Sequence, residues 1–137
     1  MRLDKRDRGS LVLWAADCAE HVLPYFEEKY PKDNRPRNAL EAGRWWFRGE
    51  ISASEARAAA FAAHAAARDA DGGAARAAAH AAATVHVGTH AAHAANYAVT
   101  ATAAADPTDS TAATAKVRDW QYRRLPKHLR PVAFPGV

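Results

Sequence analysis

The fold is decided by residues 53–105, which read ASEARAAAFAAHAAARDADGGAARAAAHAAATVHVGTHAAHAANYAVTATAAA. Alanine has the highest helix propensity of any residue, so this alanine-rich stretch predicts helices over nearly its whole length. Because the alanine side chain is a single methyl group, helices that pack through it must approach one another closely. Histidine, arginine and threonine are the main interruptions. Their side chains are therefore the first candidates for function.

Three local signals divide the stretch into helices. Residues 52–55, SASE, match the capping box, in which the first serine and the glutamate cap a helix that we expect to run to about residue 70. Residues 71–73, DGG, predict a tight reversal before the next helix begins near residue 74. Gly88, with β-branched residues around it, predicts a kink or short break in a helical pattern that otherwise continues to about residue 105.

The remainder of the chain also favours helices. Apolar spacing predicts a first helix over residues 10–28, capped by its first residue and kinked or ended by Pro24. A second is expected over about residues 34–48 with Gly49 as its stop, and a last one over residues 109–124. The sequence thus predicts an all-α fold, a single alanine-rich antiparallel bundle of five or six helices. Large side chains for its core are few, and the candidates are Trp14, Phe26, Leu40, Trp46, Phe47, Phe61 and Trp120.

Length and composition fit one helical domain over residues 1–137, with a charged N-terminal arm at residues 1–9 and an irregular, proline-containing tail at residues 125–137. The arm is too charged for a signal peptide or a membrane anchor, and no run of about 18 residues is apolar enough to cross a bilayer. Cys18 is the only cysteine, which excludes an intramolecular disulfide and fits a reducing compartment. We therefore expect a cytoplasmic protein.

The basic character of the chain is local. Its net charge is +4, yet residues 116–130 hold six Lys or Arg and a single acid, so the rest of the chain is close to neutral. Trp120 and Tyr122 lie between these basic residues, a pattern that can bind a nucleic-acid backbone and stack on bases. The same side chains can instead cover the bundle while the charges stay solvated. A net charge of +5 over this terminal segment is modest, so we expect no nucleic-acid partner.

One candidate binding surface is a polar stripe on the helix over residues 53–70. Arg57, Phe61, His64 and Arg68 have i, i+4, i+7 and i+11 spacing, which places them on one face, and the opposite face is entirely alanine. The stripe can face water while the alanine packs. Alternatively, it lines a cleft in which the two arginines hold an anion or a carboxylate.

A second stripe, formed by His86, His90, His93 and Tyr97, has the same spacing in the next helical segment. Histidines at i and i+4 can ligate one metal ion, so His86, His90 and His93 are the candidate ligands. Seven residues of helix span about 10.5 Å, however, so a further ligand must come from another element. Otherwise the rings hydrogen-bond to one another, to Tyr97 or to carboxylates. We expect no cofactor, and we expect His80 to point away from this stripe.

Two more candidates flank a proline. Arg35 and Arg37 lie on either side of Pro36 in a conformationally restricted turn, where both are available to a ligand. In the structural alternative, either guanidinium caps helix carbonyls or pairs with a carboxylate such as that of Glu27 or Glu41.

Four segments of the chain together resemble a known family. They are residues 14–27 (WAADCAEHVLPYFE), 33–42 (DNRPRNALEA), 56–68 (ARAAAFAAHAAAR) and 83–98 (ATVHVGTHAAHAANYA). This sequence is similar to the small Imm-5-like proteins, which are described as immunity proteins of bacterial polymorphic toxin systems. The resemblance implies an all-α bundle that binds and neutralises a toxin domain. Since inhibitors of basic nucleases are expected to be acidic, the basic charge of this chain favours another class of toxin.

The alternative is a small helical enzyme or ligand-binding protein, with or without a metal ion. Its pocket would be lined by both stripes, namely Arg57, His64, Arg68, His86, His90, His93 and Tyr97. The sequence contains no nucleophile elbow, P-loop or G-x-G-x-x-G motif, so it specifies no reaction. The deciding observation is whether His64 lies within reach of the face formed by the histidines of the second stripe.

Overall fold

The computed structural model describes residues 2–70 and 73–136 of the chain. These residues form seven α-helices, one 3₁₀ turn and no strand, which confirms the all-α class. The helices are α1 (Lys5–Lys29), α2 (Arg35–Phe47), α3 (Ala53–Arg68), α4 (Ala74–Ala83), α5 (His90–Ala105), α6 (Ser110–Arg124) and α7 (Arg130–Ala133), with the 3₁₀ turn at Lys127–Leu129. The predicted count of five or six helices was wrong, because the tail that was expected to be irregular folds into the 3₁₀ turn and α7.

α1 begins five residues earlier than the sequence indicated. Asp4 rather than Ser10 is its N-cap: the Asp4 carboxylate accepts a hydrogen bond from the Asp7 backbone N–H at 2.8 Å, and the Asp7 carboxylate accepts one from the Asp4 N–H at 3.4 Å. The end of the charged N-terminal arm is therefore helical. The helix also passes through Pro24 without ending, because buried side chains on both sides of the proline hold it against the core.

Most other helix ends follow the sequence signals. Ser52 and Glu55 form the expected capping box, with reciprocal hydrogen bonds of 3.1 Å. Residues 84–89 are the expected break, so α4 and α5 are separate helices. Of the reversal predicted at residues 71–73, the structure describes only Gly73, which has a φ of +88° that favours glycine. Asp71 and Gly72 lie outside the described residues.

α4 is the central helix of the bundle and is built almost entirely of alanine. It packs against α1, α2, α3 and α5, and seven of its alanines are buried. Close approach extends to the helices around it, since a Cβ added to Gly43 of α2 would lie 3.0 Å from Cγ1 of Val12 in α1. Arg76 and His80 are the only residues of α4 that are not alanine. They are one turn apart, so the polar side chains of the central helix share one face.

The large side chains of the core come from the helices around α4. Trp14, Phe26 and Leu40 are buried, as the sequence predicted. Phe47 and Phe61 are 51% and 66% exposed, so their assignment to the core was wrong. Phe47 is the last residue of α2, and Phe61 lies on the face of α3 opposite its buried alanines. Both rings are therefore left at the surface.

Cys18 is buried on α1, and burial raises the pKa of its thiol. A thiol held in its neutral form among apolar side chains behaves as a small core residue rather than a nucleophile. In the part of the chain that the structure describes, no helix has the length and apolar character needed to cross a bilayer.

Part of the basic C-terminal segment is committed to contacts inside the bundle. The guanidinium of Arg118 donates to Asn96 Oδ1 at 2.7 Å and lies 5.2 Å from the ring centre of Phe134. Arg130 donates to the backbone carbonyl of Tyr122 at 3.0 Å. These arginines hold α5, α6 and the tail together.

Candidate functional site

Four histidines and a tyrosine meet where α3, α4 and α5 come together, and we call this set the histidine cluster. His64 comes from α3, His80 from α4, and His90, His93 and Tyr97 from α5. His80 is at the centre: its ring is stacked on Tyr97, with 5.3 Å between centroids and 9° between planes, and on His90, at 5.1 Å and 25°. His64 approaches it edge-on at 5.1 Å, and His93 lies 5.2 Å away. Five rings from three helices therefore form one contact set.

The ring nitrogens are the groups of the cluster that can do chemistry. Nδ1 of His80 and Nδ1 of His90 lie 2.9 Å apart, so one of these nitrogens carries a proton and donates a hydrogen bond to the other. The hydrogen bonds of the described residues involve neither the ring of His64 nor that of His93. Within the same residues no buried side-chain nitrogen or oxygen lacks a partner. The ring of His64 is partly exposed and that of His93 is exposed, so a ligand can contact both from solvent.

Burial and like charge lower the pKa values of three rings of the cluster, those of His64, His80 and His90. Burial, followed by the neighbouring cluster rings and Arg76, lowers the pKa of His80 to about 4. Burial also lowers the pKa of His64, together with the positive charges of Arg76 and Arg68. The pKa of His90 is lowered by burial and by the other cluster histidines. Across residues 2–70 and 73–136, no carboxylate lies within ion-pairing distance of a cluster histidine to offset these effects.

The cluster brings together side chains from both stripes of the sequence analysis. His64 of the first stripe meets His90, His93 and Tyr97 of the second across His80. The expectation that His80 points away was wrong, because the break at residues 84–89 redirects the chain and brings the histidine face of α5 against His80. The signal for His80 was present in the composition of α4, where every residue but two is alanine.

His86 lies apart from the cluster. Its Nε2 is 2.8 Å from the backbone carbonyl oxygen of Ala53, and its Nδ1 is 3.3 Å from Nη2 of Arg57. The three candidate metal ligands, His86, His90 and His93, therefore do not converge on one point. In the described residues, no group of three or more His, Cys, Asp or Glu is arranged to hold a metal ion.

A separate opening lies between the start of α1, the end of α2 and the start of α3, and we call it the α1–α2–α3 groove. Its volume is about 900 Å³, and its lining includes the apolar side chains of Trp46, Phe47 and Ile51 and the basic side chains of Lys5 and Arg6. A neighbouring opening of about 470 Å³ continues past Trp46 to Val85 and His86 in the connection between α4 and α5. Sequence reasoning missed this groove because it assigned both aromatic side chains to the core.

Comparison with known families agrees with the resemblance. Residues 1–128 match the family described as "Imm-5 like putative immunity protein". The chain belongs to the Imm-5-like family. No curated protein and no solved structure matches it. The matched residues include α1 to α6, so both the histidine cluster and the α1–α2–α3 groove of this Imm-5-like protein lie within them.

Arg35 and Arg37, the remaining two candidate ligand-binding residues of this Imm-5-like protein, form ion pairs with carboxylates. Arg35 makes a bidentate contact with Asp33 at 2.9 and 2.7 Å, and Arg37 makes one with Glu27 at 3.1 and 2.7 Å. Arg37 also belongs to a larger set that we call the arginine network, in which three arginines of α2 and α6 pair with four acids: Arg37, Arg44 and Arg124 with Asp17, Glu20, Glu27 and Glu41. Arg37 therefore pairs with a carboxylate named in the structural alternative, and Arg35 pairs with Asp33 of the same turn.

Proposed function

We propose that this Imm-5-like protein is an immunity-type binding protein that neutralises a toxin domain by holding it at the α1–α2–α3 groove. The observation that carries the proposal is an exposed aromatic side chain beside exposed basic ones in a concave surface. Phe47 is 51% exposed, and Lys5 and Arg6 are exposed next to it in the lining of the groove. Membership of a family described as immunity proteins supports a toxin as the partner, and the groove supports the place of contact.

The apolar lining is suited to anchor a partner. Aromatic side chains in partly closed depressions often carry most of the binding energy of an interface. Trp46 and Phe47 end α2, and the turn at Gly49, with a φ of +77°, brings Ile51 back beside them. Aromatic rings have only two side-chain torsions, so ordering them on binding costs little entropy.

The charge of the lining selects the kind of partner. Lys5 and Arg6 place two positive charges at the start of α1, so a fitting toxin surface is acidic, with an apolar side chain to enter the groove. The positive net charge of the chain points the same way and argues against a basic nuclease as the cognate toxin. We place the encounter in the cytoplasm, where the single cysteine stays reduced.

Co-expression with the toxin domain encoded beside its gene tests the proposal. We expect the chain to restore growth and to elute with the toxin domain as a stoichiometric complex. Phe47→Ala should weaken binding about 30-fold, the loss of one interface anchor worth about 2 kcal/mol. Phe61→Ala is the matched control, because it truncates another exposed phenylalanine that does not line the groove. If growth is not restored and no complex forms, toxin binding is refuted. If a complex forms but Phe47→Ala does not weaken it, the groove is refuted as the binding site.

A further inference from the structure

The histidine cluster is bordered by basic side chains from the helices that form it. Arg68 follows His64 by about one turn on α3, and Arg76 precedes His80 by one turn on α4. Both arginines are close enough to influence the protonation of cluster rings. α5 contributes Tyr97, His90 and His93 and contains no acidic residue. Among the described residues, no acid forms an ion pair with a cluster histidine. The charges that act on the rings of His64 and His80 are therefore positive.

We propose that the histidine cluster is a binding site for a small oxyanion, held by ring nitrogens of His64, His80, His90 and His93 with Arg68 and Arg76 beside them. The rings of His64 and His93 are accessible from solvent, so an anion can contact them without opening the bundle. Imidazolium and guanidinium groups donate charge-assisted hydrogen bonds to carboxylate, sulfate or phosphate oxygens, and such bonds are about twice as strong as neutral ones. One anion contacting several of these groups supplies a negative charge that no acid of the described residues brings into contact with them.

Binding at this site is coupled to proton uptake. Near pH 7 the rings of His64, His80 and His90 are neutral because burial and neighbouring positive charge disfavour their charged forms. A bound anion reverses this preference, so the rings that contact it gain protons. By linkage, affinity for the anion then rises as the pH falls, by up to about tenfold per pH unit for each proton taken up.

A metal cation fits the same side chains less well than an anion. Arg68 and Arg76 repel a cation, and the described residues offer no group of three metal ligands. The site also shares no lining residue with the α1–α2–α3 groove. Anion binding at the cluster therefore stands independently of toxin binding at the groove.

Titration with sodium sulfate, followed by NMR of the seven histidine side chains, tests the site. Sulfate keeps its double charge at pH 7.5 and pH 6.0, so a change of affinity belongs to the protein, and sodium chloride at equal ionic strength is the baseline. We expect saturating shifts of the cluster histidines, with a Kd about tenfold lower at pH 6.0. The resonances of His21 and His128, which lie on other parts of the surface, should stay in place. A parallel titration with sodium acetate shows whether a carboxylate binds more tightly than a tetrahedral anion.

Two exposed positions supply variants that should leave the fold intact. Arg68→Gln removes a charge beside the cluster and should weaken sulfate binding about three- to fivefold, the effect of one exposed charge pair. Arg123→Gln is the control, because Arg123 is also exposed but lies on α6, where it pairs with Asp119. His93→Gln should weaken binding similarly, with an unchanged circular dichroism spectrum. The proposal would be overturned by shifts that do not saturate, by shifts that affect all seven histidines alike, or by the same Kd at both pH values. It would also be overturned if Arg68→Gln and His93→Gln both left sulfate binding undiminished.

Discussion

The arginine network and the histidine cluster both join helices through polar side chains, but they balance charge in opposite ways. Arg44, whose side chain is 17% exposed, faces the carboxylates of Asp17, Glu20 and Glu41. His80 faces other imidazoles, a phenol ring and a guanidinium, with no acid of the described residues in contact. A group buried with opposite charges stays ionised, whereas a base buried among like charges gives up its proton. The network therefore fixes α1 against α2 across the neutral pH range, while the charge of the cluster depends on pH.

Removal of Arg44 breaks the network at its centre and should have the largest effect on stability. Burial alone would lower the pKa of Arg44, but hydrogen bonds to Glu20, Glu41 and Asp17 outweigh it and raise the pKa, so the guanidinium is always charged. Arg44→Met leaves three carboxylates close together without their shared partner. We expect the free energy of unfolding to fall by about 3 kcal/mol, as for a broken and largely buried ion pair, in urea denaturation at pH 7.5.

Arg48→Met is the matched control on the next turn of the chain. Arg48 pairs with Glu50, and the two side chains are 51% and 52% exposed. Exposed pairs contribute little, so we expect a loss below about 0.5 kcal/mol. Similar losses for the two variants would show that Arg44 is no more than another surface charge.

Acidification from pH 7 to pH 5 should reduce stability through the cluster rather than the network. The pKa of His80 is about 4 in the folded chain against an ordinary value of 6.5, so in this window the unfolded state binds more protons and stability falls as the pH falls. His64 and His90, whose pKa values are also lowered, act in the same direction. The pKa of Glu20 is lowered by its hydrogen bond to Arg44, so this carboxylate loses its stabilising effect only at lower pH. We expect a loss of about 2 kcal/mol between pH 7 and pH 5.

Two variants locate the source of this acid sensitivity. His80→Gln places a side chain that does not titrate at the centre of the cluster, so most of the difference between urea denaturation at pH 7 and at pH 5 should disappear. His21→Gln is the control, because the His21 ring stacks on Trp120 at 4.6 Å, outside the cluster. An undiminished loss in His80→Gln would assign the acid sensitivity to other groups.

The features of the fold that the sequence could predict are those set by near neighbours. The capping box at residues 52–55 and the break at Gly88 depend on side chains within one or two turns, and both were found from the sequence alone. Asp4 was missed because aspartate and serine are equally good N-caps, so propensity does not choose between two of them. The helical tail depends on burial of Leu129 and Phe134 against the rest of the bundle, which no local pattern records.

The features of the site that could not be predicted depend on how helices meet. Spacing alone placed His90, His93 and Tyr97 on one face of α5. Their contact with His80 depends on the angle of the connection between α4 and α5, which helix propensity does not specify. Phe47 was assigned to the core by its aromatic character, yet helices that pack through alanine leave little volume for a large ring between them. The side chain that most favours a binding surface was therefore the one that the hydrophobic pattern placed inside.

The smallest effect predicted for the arginine network is the coupling energy between Arg37 and Glu27, and its response to salt has a different cause from that of the histidine cluster. Their side chains are 34% and 36% exposed, so water competes for both charges even though the contact is bidentate. A double-mutant cycle of Arg37→Met and Glu27→Gln should give about 0.5–1 kcal/mol. Raising sodium chloride from 0.1 to 0.5 M should reduce this coupling, because exposed charges are screened. The acid-induced loss at the cluster should also shrink in salt, but for another reason, since anions accumulate where imidazolium charges repel one another. A coupling energy above about 2 kcal/mol that salt does not change would mean that the Arg37–Glu27 pair is as well shielded from solvent as Arg44. Side-chain exposure would then not determine the strength of the ion pairs in the network.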